Sequence, residues 1–278
     1  TKALAPGVAD LRMFVADGLF TAETDEPNWR LAHDLLMPAF SKSAMRGYHD
    51  VMVEATDELI SVWDKAAGEG RTVDVSPWLT KLTLETIGRA AFSHTFHSFE
   101  TAEVDPFVTT FVADMSHAAA RSNVAALPFV GRRMVRTRDR EALVRHEYID
   151  RLLRDIVAER ETSGVEHDDL LGRMMHVPVD ESGSLLDAAN VRHQILTLLV
   201  AGHETTSGAV SFALYHLTRE PEVLERVRAE LDEVLGTDPS ATPSFEQVPK
   251  LRYLRRVVDE TLRLWPTAPG FARSPRET

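Results

Sequence analysis

Residues 191–217 restrict the fold more than any other stretch of this 278-residue chain. Val191, Ile195, Leu198, Gly202, Thr205, Ala209 and Phe212 recur at helical spacing along one side, while Leu196, Leu199, Val200, Val210 and Leu214 line the other. A helix that is apolar nearly all round is expected to run through the middle of a protein. Into its centre is set Gly202-His203-Glu204-Thr205-Thr206-Ser207-Gly208. Each Gly costs roughly 1 kcal/mol against Ala in a helix interior, and a Glu costs more unless it is paired or reaches water. Hydroxyls bonding back to helix carbonyls and Gly allowing close packing would explain one or two such residues. A cluster of them is better explained by function, because local rules break where a site is built. Close backbone approach at Gly202, an acid at Glu204 and an alcohol at Thr205 would suit a flat ligand with proton delivery beside it.

Helical periodicity dominates the remainder, without a repeat or a low-complexity tract. Ser41 is expected to cap a helix running to about Ala67, with Gly68 as its stop. Arg71 to Val75 alternates like a short strand. Ser76-Pro77 opens a helix through Phe92, and Asp105-Pro106 opens one towards Ala120. The segment from Arg121 to Gly131 reads as a loop whose apolar residues suit either a satellite core or a lid at a channel mouth. A long charged helix from about Arg136 to Thr162 follows, with Leu143, Tyr148, Leu152, Ile156 and Val157 as its apolar stripe. Asp180 to Leu186 reads as a turn or tight hairpin, and Asp187 caps the central helix, which continues to Arg219. Pro221 begins another helix, with Glu222 and Arg226 as an i,i+4 pair and Gly236 as its end. The last helix runs roughly from Leu251 to Leu264, before Pro266. The expectation is one mainly α unit with minor β-structure and a long central helix.

Composition removes several function classes. With 31 basic against 43 acidic residues, a net charge of −12, a nucleic-acid-binding surface is not expected. The absence of Cys excludes disulfides, Cys-ligated zinc, iron–sulfur clusters and a Cys nucleophile within these residues, and by itself a thiolate-bound haem. No run of about 20 apolar residues predicts a membrane span, and no secretory signal opens the chain, so a cytoplasmic location is expected. His203-Glu204 begins like the zinc pattern H-E-x-x-H, but Ser207 stands where the second ligand is needed. His94 and His97 could touch a metal yet lack a third partner, which leaves ordinary helix-end polarity. The chain lacks an initiator Met and stops at Ser274-Pro275-Arg276-Glu277-Thr278, so a fragment is expected.

Three segments together resemble the cytochromes P450. Ala201-Gly202-His203-Glu204-Thr205-Thr206 on a central helix is similar to that family's oxygen-activating motif, and Glu260-Thr261-Leu262-Arg263 to its E-x-x-R motif. Trp29-Arg30-Leu31-Ala32-His33 is similar to the segment that places a Trp and a basic residue one turn apart against the haem propionates. His33 stands where Arg is commoner, and it is a weaker and pH-dependent donor. Asp17-Gly18-Leu19-Phe20-Thr21, Leu82 through Gly88, Ala201 through Leu214 and Leu262 through Pro269 further resemble the bacterial self-sufficient fatty-acid hydroxylases, in which a haem domain is fused to an FAD/FMN reductase.

The resemblance covers residues 1–278 and implies a partial haem domain, without the family's amino-terminal sheet and without the loop carrying the haem-ligating Cys. It implies haem b as cofactor, electrons from NADPH through FAD and FMN, and O2 with an apolar, fatty-acid-like substrate. Gly202 and Ala201 would lie close over the distal haem face, Thr205 would hydrogen-bond the oxygen under activation or its water, and Glu204 would relay protons from solvent. Thr206 would point inward or satisfy the helix. Trp29 and His33 would anchor propionates, and Phe20, Leu198, Ala268 and Phe271 would line the substrate pocket. Glu260 and Arg263 would brace a later segment. Arg30, Lys42 and Arg46 could dock a flavin domain or be scattered surface charges. The resemblance leaves a P450-type peroxygenase or isomerase, and a non-enzymatic helical domain binding apolar ligands, as alternatives. Without a Cys the chain alone is expected to be inactive.

Overall fold

Polar caps and prolines start most of the helices. In a computed structural model, which describes residues 6–125, 130–165, 167–238 and 240–270, the first half holds α1 (Pro6–Val15), α2 (Pro27–Leu36), α3 (Lys42–Gly68), α4 (Val75–Phe92) and α5 (Pro106–Ala125). The second holds α6 (Val130–Ser163), α7 (Leu170–His176), α8 (Ala188–Arg219), α9 (Pro221–Leu235) and α10 (Arg252–Leu264). Ser41 accepts the Ala44 N–H at 3.3 Å, and Asp187 accepts those of Ala189 and Asn190 at 2.9 and 3.0 Å. Each bond satisfies a first-turn donor that has no intrahelical acceptor. Pro27, Pro106 and Pro221 stand first in their helices, where a missing N–H is harmless. Glu230 of α9 accepts the Tyr253 and Leu254 N–H groups at 2.7 and 2.9 Å and so caps α10 from outside.

The fold is mainly α, and among the described residues it contains no strand. The alternation at Arg71 to Val75 is not β-structure: Asp74 accepts the Ser76 N–H at 3.3 Å and α4 has already begun at Val75. Of the expected loop from Arg121 to Gly131, both ends are helical, and residues 126–129 lie outside the described residues. α5 continues to Ala125 and α6 begins at Val130, ahead of the expected Arg136. Around Asp180 the chain makes a turn, with Asp180 Oδ1 accepting from Ser182 and Ser184 N–H and one bond of 2.8 Å crossing from Val179 N–H to the Ser184 carbonyl. Glu222 and Arg226 form no ion pair among the described residues. The Arg226 guanidinium lies 4.2 Å from the centre of the Tyr253 ring instead, joining α9 to α10. Among the described residues no helix is long and apolar enough to cross a membrane.

α8 packs most extensively against α4. Leu84 of α4 and Ile195, Leu196 and Leu199 of α8 are buried together with Phe107 and Phe111 of α5, Ile149 and Ile156 of α6, and Leu171 and Met174 of α7. Each such side chain contributes about 1.5–3 kcal/mol by leaving water. Thr83 Oγ1 donates to the His203 carbonyl at 2.9 Å, which fixes the register of the two helices at the centre of the motif. A second anchor joins α6, α7 and the end of α4. Arg160 donates to both Asp169 carboxylate oxygens at 3.0 and 2.5 Å and to the Phe92 carbonyl at 2.9 Å, while Asp169 Oδ1 caps α7 through the Gly172 N–H at 2.7 Å.

Candidate functional site

The amino-terminal half of α8 is tied to the segment after α1 by a polar hub at Asp17. One Asp17 oxygen accepts from Asn28 Nδ2 at 2.7 Å, at the start of α2. The other accepts from Asn190 Nδ2 at 3.1 Å and His193 Nδ1 at 2.6 Å, both on α8. Burial pushes the Asp17 carboxyl up, but the hydrogen bonds from Asn28, His193 and Asn190 outweigh it and hold the group below the usual range. Gln194, fully buried one turn beyond Asn190, accepts the Leu19 N–H at 2.9 Å and donates to Asn190 Oδ1 at 2.9 Å. The hub thereby ties the Leu19–Phe20 segment and the start of α2 to the amino-terminal half of α8. Sequence reasoning missed Asp17, Asn190, His193 and Gln194. The visible signal was a pair of amides one turn apart on an otherwise apolar helix.

Gly18 is required within this hub. A Cβ there would stand 2.0 Å from Thr197 Oγ1 and 2.8 Å from the His193 carbonyl oxygen. The Thr197 hydroxyl is itself bonded to that carbonyl at 2.8 Å, so it cannot swing away without losing a partner. Gly18→Ala is expected to destabilise by about 1–3 kcal/mol, the usual cost of overpacking. A urea-unfolding midpoint identical to that of the parent protein would show that the segment relaxes without penalty.

The centre of α8 is open on one side rather than buried all round. Ala201, Thr205 and Thr206 are exposed among the described residues, whereas His203 and Ser207 are buried towards the core. At Gly202 the close approach is to α4, since a Cβ would lie 3.0 Å from Ile87 Cγ1. Thr205 Oγ1 donates to the Ala201 carbonyl at 2.8 Å, so what it turns outward is a lone pair that can accept a hydrogen bond. Glu204 is half-buried, with its Oε1 3.3 Å from His203 Nε2. This contact holds its carboxyl below the usual range, against burial, which raises it.

Leu198 is half-buried on α8, and Phe20 is 47% exposed. Ala268 is exposed and reaches α8 through its neighbours: Trp265 stacks on Phe212 with ring centres 5.2 Å apart, and Thr267 Cγ2 would lie 3.1 Å from a Cβ at Gly208. Phe271 lies outside the described residues. Trp29 and His33 stack with ring centres 4.8 Å apart. His33 Nδ1 donates to Asp34 Oδ1 at 3.0 Å, so Nε2 carries a hydrogen only in the imidazolium form. Glu260 and Arg263 form a two-pronged pair at 2.7 and 2.7 Å on the exposed face of α10. The other candidates are engaged separately. His94 bonds Glu159 at 3.0 Å and His97 bonds Glu100 at 2.8 Å, while Arg30 faces Asp34 at 3.5 Å and Arg46 pairs with Glu246.

These residues suit a flat apolar group with acidic edges. Leu198, Ala201 and Thr205 make an open strip of modest side chains, bordered by an acid, and the Trp29 indole N–H and His33 imidazolium are donors of the type that carboxylates accept. The donor set therefore fits a haem edge and one haem face, while the 278 residues hold no thiolate for its iron.

The sequence profile of the family described as Cytochrome P450 matches residues 5–278. A bifunctional cytochrome P450/NADPH–P450 reductase from Bacillus cereus is 43% identical over 277 residues, covering 99% of this chain and 25% of that protein. Bifunctional cytochrome P450/NADPH–P450 reductase 1 of Bacillus subtilis is 42% identical, with the same 99% and 25% coverage. A self-sufficient cytochrome P450 monooxygenase from Phanerodontia chrysosporium is 35% identical over 96% of this chain and 25% of its own length. The chain thus spans about a quarter of the length of these relatives, and over that span it belongs to the cytochrome P450 family.

Proposed function

We propose that the chain is the distal part of a haem domain in a longer monooxygenase, which inserts one oxygen atom of O2 into an apolar, fatty-acid-like substrate. The observation that carries this reading is the succession of a partly exposed acid and an exposed, hydrogen-bond-accepting alcohol, Glu204 and Thr205, on the open side of a helix otherwise locked to the core. Haem b, when bound, supplies the activation of O2 and the oxidising chemistry. Trp29 and His33 hold its carboxylates, and Ala201 leaves room for its face. Glu204 exchanges protons with solvent, and Thr205 offers Oγ1 as a hydrogen-bond acceptor that would hold a water in line between the acid and the open strip. Phe20, Leu198 and Ala268 line the substrate side, and Glu260 with Arg263 braces a later segment rather than touching substrate. The relatives named as fusions with an NADPH–P450 reductase support electron supply from NADPH, and FAD and FMN are the carriers this reading assigns to that route. An intracellular reductant of this kind supports a cytoplasmic location.

The test is the gene product read through both ends of these residues. Its reduced, CO-treated form should show the Soret band of a thiolate-ligated haem, and a lipophilic acid should raise NADPH consumption. A haem-loaded product without that band would remove the assignment. Turnover on peroxide alone, without NADPH, would favour a peroxygenase. Rearrangement without external electrons would favour an isomerase, and no uptake of haem at all would favour a non-enzymatic ligand-binding domain.

A further inference from the structure

The imidazole of His203 has no role in the relay so far described, although it is fully buried within it. Its Nδ1 lies 2.6 Å from the Leu199 carbonyl oxygen, an atom that only accepts, so Nδ1 carries a hydrogen in every protonation state. The other nitrogen, Nε2, is buried without a hydrogen-bond partner of good geometry, and the polar atom facing it is Glu204 Oε1 at 3.3 Å. Had both groups lost their protons, a ring lone pair and a carboxylate would confront each other in a site closed to water on the ring side. One proton between them removes the conflict, either as imidazolium with carboxylate or as neutral imidazole with carboxylic acid.

Among the described residues, no other ionisable side chain lies within hydrogen-bond distance of the ring. From α5 the Phe107 ring packs edge-on, 5.6 Å from it centre to centre, and from α4 the Thr83 hydroxyl bonds the His203 carbonyl. The charged groups of α4 are committed elsewhere: Lys81 to the Thr101 carbonyl, Glu85 to Thr95, Ser98 and Arg89, and Arg89 also to Glu58. On α5, the buried Asp114 is held by His146 and Arg145.

We propose that His203 and Glu204 share one proton as a unit, and that His203 acts as a positioning residue which holds that proton ready for the Glu204 carboxylate. The inference rests on the relay role given to Glu204 above. The proton resting on His203 Nε2 crosses to Glu204 Oε1 and leaves the ring neutral, and Glu204 then gives that same proton to a water beside it. The pair is then one proton short, with net charge −1. It is refilled through Glu204, whose side chain is 43% exposed, because the ring itself has no path to water. His203 is therefore a reservoir and not a conduit.

The test follows the ring nitrogens of His203 by 15N NMR in histidine-labelled protein, with the resonance assigned by its loss in His203→Gln. Nδ1 should stay protonated across the titration, and Nε2 should titrate with a midpoint that falls by about 1 pH unit or more in Glu204→Gln, the usual effect of removing a close opposite charge. Glu204 is partly exposed and Gln is nearly isosteric, so the variant keeps the fold. A midpoint that does not move, or an Nδ1 that loses its hydrogen, would overturn the proposal. The readout needs no haem. A moved midpoint in a gene product without a thiolate–haem band would refute the monooxygenase reading and leave the shared proton standing. An unmoved midpoint in a product with that band would refute the shared proton alone.

Discussion

Replacing Arg160 by Ala should cost about 3–5 kcal/mol of folding stability, the range for removing one partner of a buried ion pair. Arg160 and Asp169 are 6% and 5% exposed. The guanidinium makes both bonds to the carboxylate and a third to the Phe92 carbonyl, so its loss strands three acceptors at once. Ser93 Oγ, at 2.7 Å from Asp169 Oδ2, and the Gly172 N–H cap would remain, but neither carries a compensating positive charge. Arg160→Lys should recover only part of the loss, since a single ammonium cannot reach a carboxylate and a carbonyl in the fork geometry of a guanidinium. Asp169→Asn should keep the α7 cap and still destabilise. Urea unfolding of the three variants tests this, and a loss below about 1 kcal/mol for Arg160→Ala would mean that water enters the pair in place of the side chain.

Thr205→Val in the longer protein should lower product formed per NADPH by on the order of 10²-fold, the lower end of what a positioned proton-transfer group contributes. Peroxide should account for the missing electrons. The valine keeps the shape and removes the oxygen. Because Thr205 is exposed and its hydroxyl bonds only back to Ala201 of its own helix, folding stability should change little, within about 0.5 kcal/mol. The two readouts separate a chemical role from a structural one. Unchanged coupling would take the hydroxyl out of the relay, whatever the thermal stability does. Thr206→Val, one residue on, is the internal control for a hydroxyl on the same exposed stretch.

Much of the helical framework could be read from the sequence because its signals are local. Ser41, Asp187 and Pro221 act within one turn of their own positions, and Glu260 and Arg263 need only a shared helix face to meet. Arg71 to Val75 misled because alternation over so few residues says nothing about Asp74, whose capping bond decides the segment. The apolar faces of α8 were legible as apolar, yet which of them would be covered was not: burial depends on α4, which meets α8 across more than a hundred residues of chain. The Asp17 hub was invisible for the same reason. Its bonds to α8 span 173 and 176 residues, and no pattern within a single element announces such a partner.

The hub also separates what must persist from what is free to vary. Backbone position at residues 17–20 is set by Asp17, by the absent side chain of Gly18 and by the Leu19 N–H on Gln194. Substitutions at position 20 leave these three anchors in place, so in the substrate-lining role proposed for Phe20 they would alter the shape offered to a substrate without removing the bonds that hold the segment. A lineage carrying this arrangement can vary that position while the backbone beneath it stays moored to α8.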